Sequence, residues 1–189
     1  MQNANPSFEI LKRLIETPDL PDLGPAPRAC RLPLAALNRK LEGFIQETNL
    51  SSALQPCVRS AALLWHDYLD ESHTLAQNID NAEGSFLHAV MHRREPDYAN
   101  AKYWFHRLGR HPSFVQIAGR AKCLLDENGK KELASRLVPQ GEWDPFAFVD
   151  ACEAALSPSA PAAIGRILRE IQALEFDALL AHLFQGAQR

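Results

Sequence analysis

Five side chains in the first half of this chain have the types and spacing that metal chemistry requires. His66, Asp70 and His73 stand at i, i+4 and i+7, and His88 and His92 stand four apart. On α-helices each set falls on one face, because residues three, four and seven apart stack above one another. If the two faces oppose, up to four imidazoles and a carboxylate meet in one space. Imidazole and carboxylate are the donors that borderline divalent ions such as Zn²⁺, Ni²⁺ or Fe²⁺ prefer. The metal ligands expected are therefore His66, His73, His88 and His92. Glu83, at the mouth of the intervening turn, and Asp70 are the candidates for moving protons. Glu95 lies at i+7 from His88 and extends the set, although its place before Pro96 takes it off the helix axis. A histidine pair hydrogen-bonded within a polar core gives the same spacing, so the pattern is necessary for a helical metal pair and not sufficient. The run His88-Ala-Val-Met-His92 lacks the glutamate of HExxH, which disfavours a zincin protease.

These residues belong to an unusual stretch, since six of the seven histidines fall between His66 and His111. Helices must position them. Apolar periodicity predicts one long helix over 52–78, with Pro56 tolerated in its first turn. The short acidic loop from Asp80 to Gly84 leads into a second helix over 85–94, stopped by Pro96. Asp97 is the expected N-cap of a third over 98–108, closed by Gly109. So short a connector between the histidine helices favours an antiparallel αα-hairpin. Further helices are predicted over 7–16, 34–49, 112–125, 130–137, 145–156 and 160–185. No alternating β-branched run reads as a strand, and no fixed-period repeat is present. The fold class is all-α, a single-domain multi-helix bundle with a Pro-rich N-terminal connector. Pro18, Pro21, Pro25, Pro27 and Pro33 stiffen that connector. The division expected is an N-terminal helix and Pro-rich segment over 1–33, then an all-helical domain over 34–189.

A second constellation is cationic. Arg93, Arg94, Lys102, Arg107 and Arg110 lie beside Tyr98, Tyr103, Trp104, Phe105, His106 and His111. The planar guanidinium fork suits carboxylates and phosphates, and aromatic faces offer stacking surface. Arg93, Arg94, Asn100, Tyr103, Trp104 and His111 are accordingly the expected contacts of a small anionic or sugar-like ligand. The bland alternative pairs each arginine with a nearby carboxylate and sends the aromatics into the core.

Composition bounds the rest. A chain of 189 residues with 46% hydrophobic and 23% charged residues is that of an average globular protein. At this length roughly 70% of the unfolded chain's surface is buried on folding, so a core needs no disulfide or structural metal. The formal net charge of −3 gives no basic excess for a nucleic acid. Cys30, Cys57, Cys123 and Cys152 form no CxxC pair, which argues against a thiolate zinc cluster. No apolar stretch approaches a bilayer span. The opening MQNANPSFEIL lacks a basic then apolar leader, so the expected location is cytoplasmic. Asn49-Leu50-Ser51 fits a glycosylation sequon and is read as chance.

The run Glu83-Gly-Ser-Phe-Leu-His88-Ala-Val-Met-His-Arg-Arg-Glu-Pro-Asp97-Tyr-Ala-Asn-Ala-Lys-Tyr-Trp-Phe-His106, followed by Gly109 and His111-Pro112, resembles a family of uncharacterised bacterial and fungal proteins. That family carries EGSFxHAxMHRREPDYxNAxYWFRRxGxHP. Trp65-His66-Asp67 and Ser72-His73 are similar to its upstream block. The resemblance covers about a quarter of the chain and implies no activity, because none is assigned to the family. Its arginine stands where this chain has His106, which makes His106 the weakest of the six as a site residue. His66-Asp67 is also similar to the metal-binding dyad of HD-domain phosphohydrolases, which are all-helical, but their pattern needs a histidine upstream and none precedes His66.

Together these observations predict a small metal-dependent enzyme, hydrolytic or isomerising, acting on a small anionic substrate. In it Arg93 or Arg94 orients the substrate, and the metal lowers the pKa of bound water toward about 7. The alternatives are a metal-free binding module for such a ligand, and a structural or interaction protein whose histidines cement the core. Oligomeric state is not written in these residues.

Overall fold

The computed structural model describes residues 5–186; residues 1–4 and 187–189, the ends of the two predicted segments, lie outside it. Among the described residues are ten α-helices and no strand: α1 Pro6–Ile15, α2 Leu34–Thr48, α3 Gln55–Trp65, α4 Leu69–Ala76, α5 Ala82–Arg94, α6 Tyr98–Leu108, α7 Ser113–Glu127, α8 Lys131–Leu137, α9 Pro145–Ala155 and α10 Ala162–Gly186. The all-α reading holds. None of these helices is long and apolar enough to cross a membrane.

Local chemistry sets most boundaries. Asn5, Asn81, Asp97 and Asp144 cap α1, α5, α6 and α9, each accepting from an amide of the first turn. Gly109, at φ +65°, ends α6 in the left-handed region that glycine enters freely.

One expectation fails in an instructive way. The long helix predicted over 52–78 is broken at His66-Asp67-Tyr68 into α3 and α4, with Asp67 at φ +62°. The two halves fold back on each other. Ser60 and Ser72 would stand about 18 Å apart along a straight helix, yet their hydroxyls meet at 2.9 Å. Each hydroxyl also donates to the other's carbonyl, at 3.2 and 3.0 Å. Periodicity cannot see this corner, because both halves bury an apolar face with the same period. His66, Asp70 and His73 therefore do not share a face.

The Pro-rich segment is a packed wrap. Leu23 is buried, the Leu32 amide donates to His66 Nδ1 at 3.2 Å, and the Gln172 amide donates to the carbonyls of Pro21 and Asp22. Phe8, Leu11 and Ile15 of α1 join the same core as α10, with Phe8 against Phe184.

At the centre runs α5, every residue of which from Gly84 to Arg94 is buried. The turn that delivers it is tight. A Cβ added at Gly84 would lie 2.1 Å from the Ile79 carbonyl oxygen, so the loop returns against the first turn where only glycine fits. Gly84→Ala is expected to destabilise the protein by at least about 2 kcal/mol, the scale of forced overpacking against a backbone atom. Urea denaturation checks it, and a loss below about 0.5 kcal/mol contradicts the close approach.

Candidate metal centre

On α5 His88 and His92 are four apart and share a face; His73 comes to them from α4. The rings sit 4.9 Å (His73–His88), 5.1 Å (His73–His92) and 5.4 Å (His88–His92) apart between centroids. One ring nitrogen from each lies within 4.8 Å of the others. A tetrahedral ion with bonds of about 2.0–2.1 Å needs its donors roughly 3.3 Å apart. The three donors would have to draw closer, by rotation of the rings, for an ion to be held.

The neighbours hold the rings in place. Trp104 of α6 stacks flat on His88, with centroids 4.0 Å apart. Glu95 Oε2 lies 3.2 Å from His92 Nδ1 and Asp97 Oδ2 lies 4.0 Å from it. An imidazole whose Nδ1–H faces a carboxylate keeps its lone pair on Nε2, the arrangement that orients and strengthens metal-bound histidines. The Asn100 amide nitrogen is 3.1 Å from that Nε2, and an ion would displace it. Burial, then the charge of His73, His92 and Arg107, pushes His88 down to about 4. Burial lowers His92 too, against the opposing pull of Glu95. Near neutral pH both rings are therefore uncharged and offer lone pairs, so an ion need not displace a proton from either.

The remaining predicted site residues are elsewhere. His66 is fully buried at the α3–α4 corner and accepts from Leu32, so the expected four imidazoles become three. Asp70 is exposed, and its carboxylate has no partner among the described residues. Tyr103 stands out from the surface at 57% exposure, edge-on to Trp104. His106 is exposed. Glu83 and His111 meet on the other side of α5, where His182 of α10 joins them.

Arg93 and Arg94 are both fully buried and paired inside the protein. Arg93 donates to Glu175 at 2.5 Å and lies over the Phe148 ring. Arg94 donates to Asp67 at 2.7 Å and to the Leu64 carbonyl at 2.5 Å. Asp67 also accepts from the Arg28 amide and Nε. Both its oxygens are engaged by arginine, so the His66-Asp67 dyad offers no free carboxylate to an ion. No protein-family model, curated protein or solved structure matches this chain.

Sequence reasoning named the two histidines of α5 and His73 from spacing alone, and weighed Glu95 as an extension. It missed His182, which lies far along the chain from the histidine block. The available signal was the polar series Gln172, Glu175 and His182, spaced three and seven apart on a helix otherwise rich in apolar residues.

Proposed function

We propose that this protein is a small metal-dependent enzyme, hydrolytic in type, with a divalent transition ion held by His73, His88 and His92. The observation that supports the reading most is the convergence of three ring nitrogens within 4.8 Å, two of the rings being uncharged by burial. Three imidazoles leave a coordination position open for water, the donor set of catalytic zinc. Held by these three rings, a divalent ion would supply hydroxide near neutral pH by lowering the pKa of bound water. Glu95 positions His92 and sets its tautomer. The cation that bears on His88 is Arg107, whose guanidinium lies 5.1 Å from the Trp104 ring. An anionic substrate would have to displace the exposed Asp80 carboxylate, 2.9 Å away, to reach Arg107. That exchange is open at the surface but closed to Arg93 and Arg94, which are buried against Glu175 and Asp67.

Equilibrium dialysis of metal-free protein against Zn²⁺, Ni²⁺ and Fe²⁺, read with thermal melting, tests this. An ion bound only by the folded state stabilises it by about 2.7 kcal/mol at a hundred times its Kd. Glu95→Gln is expected to weaken binding by roughly 10–100-fold, the usual cost of losing an orienting partner. His73→Gln, which removes a donor on the half-buried side, should cost more than that. Binding of equal strength in wild type and His73→Gln rejects this centre.

A further inference from the structure

The opposite side of α5 carries a second group of donors. Glu83 and His88 are five residues apart and Glu83 and His92 nine, which turns Glu83 to the face away from the two histidines. There His182 Nε2 of α10 lies 3.5 Å from Glu83 Oε1. The His111 ring, from the turn before α7, stands edge-on to His182 with centroids 4.7 Å apart. One donor atom from each of Glu83, His111 and His182 falls within 4.8 Å of the others.

A simple ion pair between Glu83 and His182 does not account for His111. This ring is 4% exposed, and its Nδ1 is taken by the Ser113 hydroxyl at 2.7 Å, with the Ser113 amide at 3.3 Å. Its Nε2 is buried and has no hydrogen-bond partner among the described residues. An orphaned buried polar atom costs about 1–3 kcal/mol, so a ligand that engaged this one together with the neighbouring carboxylate and second imidazole would stabilise the fold. The Ser113 amide donates to Nδ1, so without an ion the proton belongs on Nε2. An ion at Nε2 would need the other tautomer, with Nδ1–H donating to the Ser113 hydroxyl and the amide contact given up. A cavity of about 320 Å³ opens beside the other two members of the group, lined by Ser51, Leu54, Cys57, Asn81, Glu83 and His182, with His111 behind them and not in its wall.

We propose that Glu83, His111 and His182 form a second divalent transition-metal site, independent of the first, whose open coordination positions face this cavity. Two histidines and one carboxylate leave room for two or three exchangeable ligands, the donor set of open Fe²⁺ and Zn²⁺ sites. The ligand it admits is a small oxygen-donor molecule that fits among Ser51, Asn81 and the ion.

Titration of metal-free protein with Zn²⁺ by calorimetry, and with Co²⁺ by visible spectroscopy, decides the matter. Wild type is expected to bind two ions per chain, His182→Ala one and His73→Gln one. His106→Ala, which alters an exposed histidine outside both groups, should still bind two. Glu83→Gln, with circular dichroism confirming the fold, is expected to weaken the second site at least about 100-fold should His182→Ala fail to fold. Equal stoichiometry in wild type, His182→Ala and Glu83→Gln overturns the second site and leaves Glu83–His182 an ion pair. Loss of an ion in His182→Ala with no change in His73→Gln supports this site and rejects the first.

Discussion

Asp67→Asn is expected to destabilise the protein by about 3–5 kcal/mol, the cost of leaving a buried charge without its partner. Asp67 holds Arg94 at 2.7 Å with both side chains fully shielded from water, and its other oxygen takes the Arg28 amide and Nε. Burial alone would raise its carboxyl, but the hydrogen bonds from Arg28 and Arg94 hold it below the usual carboxylate range. Asparagine is the right probe because it tolerates the left-handed backbone at this corner, so the change removes charge and leaves shape. The pair also ties the Pro-rich segment to α5, since Arg94 reaches the Gly24 carbonyl at 3.4 Å. Limited proteolysis between residues 18 and 33 should therefore accelerate together with the fall in urea midpoint. Asp67→Asn/Arg94→Met is expected to recover at least half the loss, because it removes the orphaned charge as well. A single-variant cost below about 1 kcal/mol would show that the charges are hydrated and the lock unimportant.

The same lock explains which parts of the site were legible in the sequence. Helix periodicity reports which face is apolar, and so it identified the helices and the α5 pair His88 and His92. It is silent about a corner at which both arms bury the same kind of face, and α3 and α4 make such a corner. Asp67 was the one local hint, being a residue type that enters the left-handed region. Arg93 and Arg94 show a different limit. Guanidinium chemistry suits an external anion and an internal carboxylate equally well. The choice was made by Asp67 and by Glu175, the latter far along the chain on α10. Glu95 illustrates the converse. Its place before Pro96 suggested that it leaves the helix axis, but its amide still donates to the Met91 carbonyl. It thus stays within reach of His92.

Running antiparallel, α5 and α10 set Arg93 against Glu175 at one end and Glu83 against His182 at the other. The fully enclosed rung joins α10 to the C-terminal end of α5, and the half-buried rung carries donors that an ion could use. Burial raises the carboxyl of Glu175, with Arg93 opposing. The Cys152 thiol beside the rung is pushed up to about 12, so it remains a neutral packing group.

Metal-free protein is expected to unfold steeply between pH 6 and 4. Burial, their largest influence, pushes His66, His88 and His111 from an ordinary value near 6.5 down to about 4. In the unfolded chain these rings take up protons from pH 6.5 downward, while in the folded chain they do so only near pH 4. The unfolded state therefore binds more protons throughout that window, and stability falls as pH falls. A fully expressed shift of this size is worth roughly 3 kcal/mol per ring, so three together rival the whole stability of about 5–15 kcal/mol of an ordinary domain. Glu175 works in the other direction, since its raised carboxyl binds a proton first in the folded state; one such group does not offset three. Below about pH 4 the lowered carboxyls of Asp67 and Asp177 add to the loss. Unfolding free energies from urea titrations at pH 7, 6, 5.5 and 5 should fall with a slope of between about two and three protons near pH 5. His66→Gln keeps an acceptor for the Leu32 amide and removes one titrating ring that belongs to neither metal group. Its slope should be shallower by about one proton, or roughly 1.4 kcal/mol per pH unit. A flat profile from pH 7 to 5 would mean that these rings are wet enough to protonate in place, and the uncharged donor set assigned to His88 would go with them.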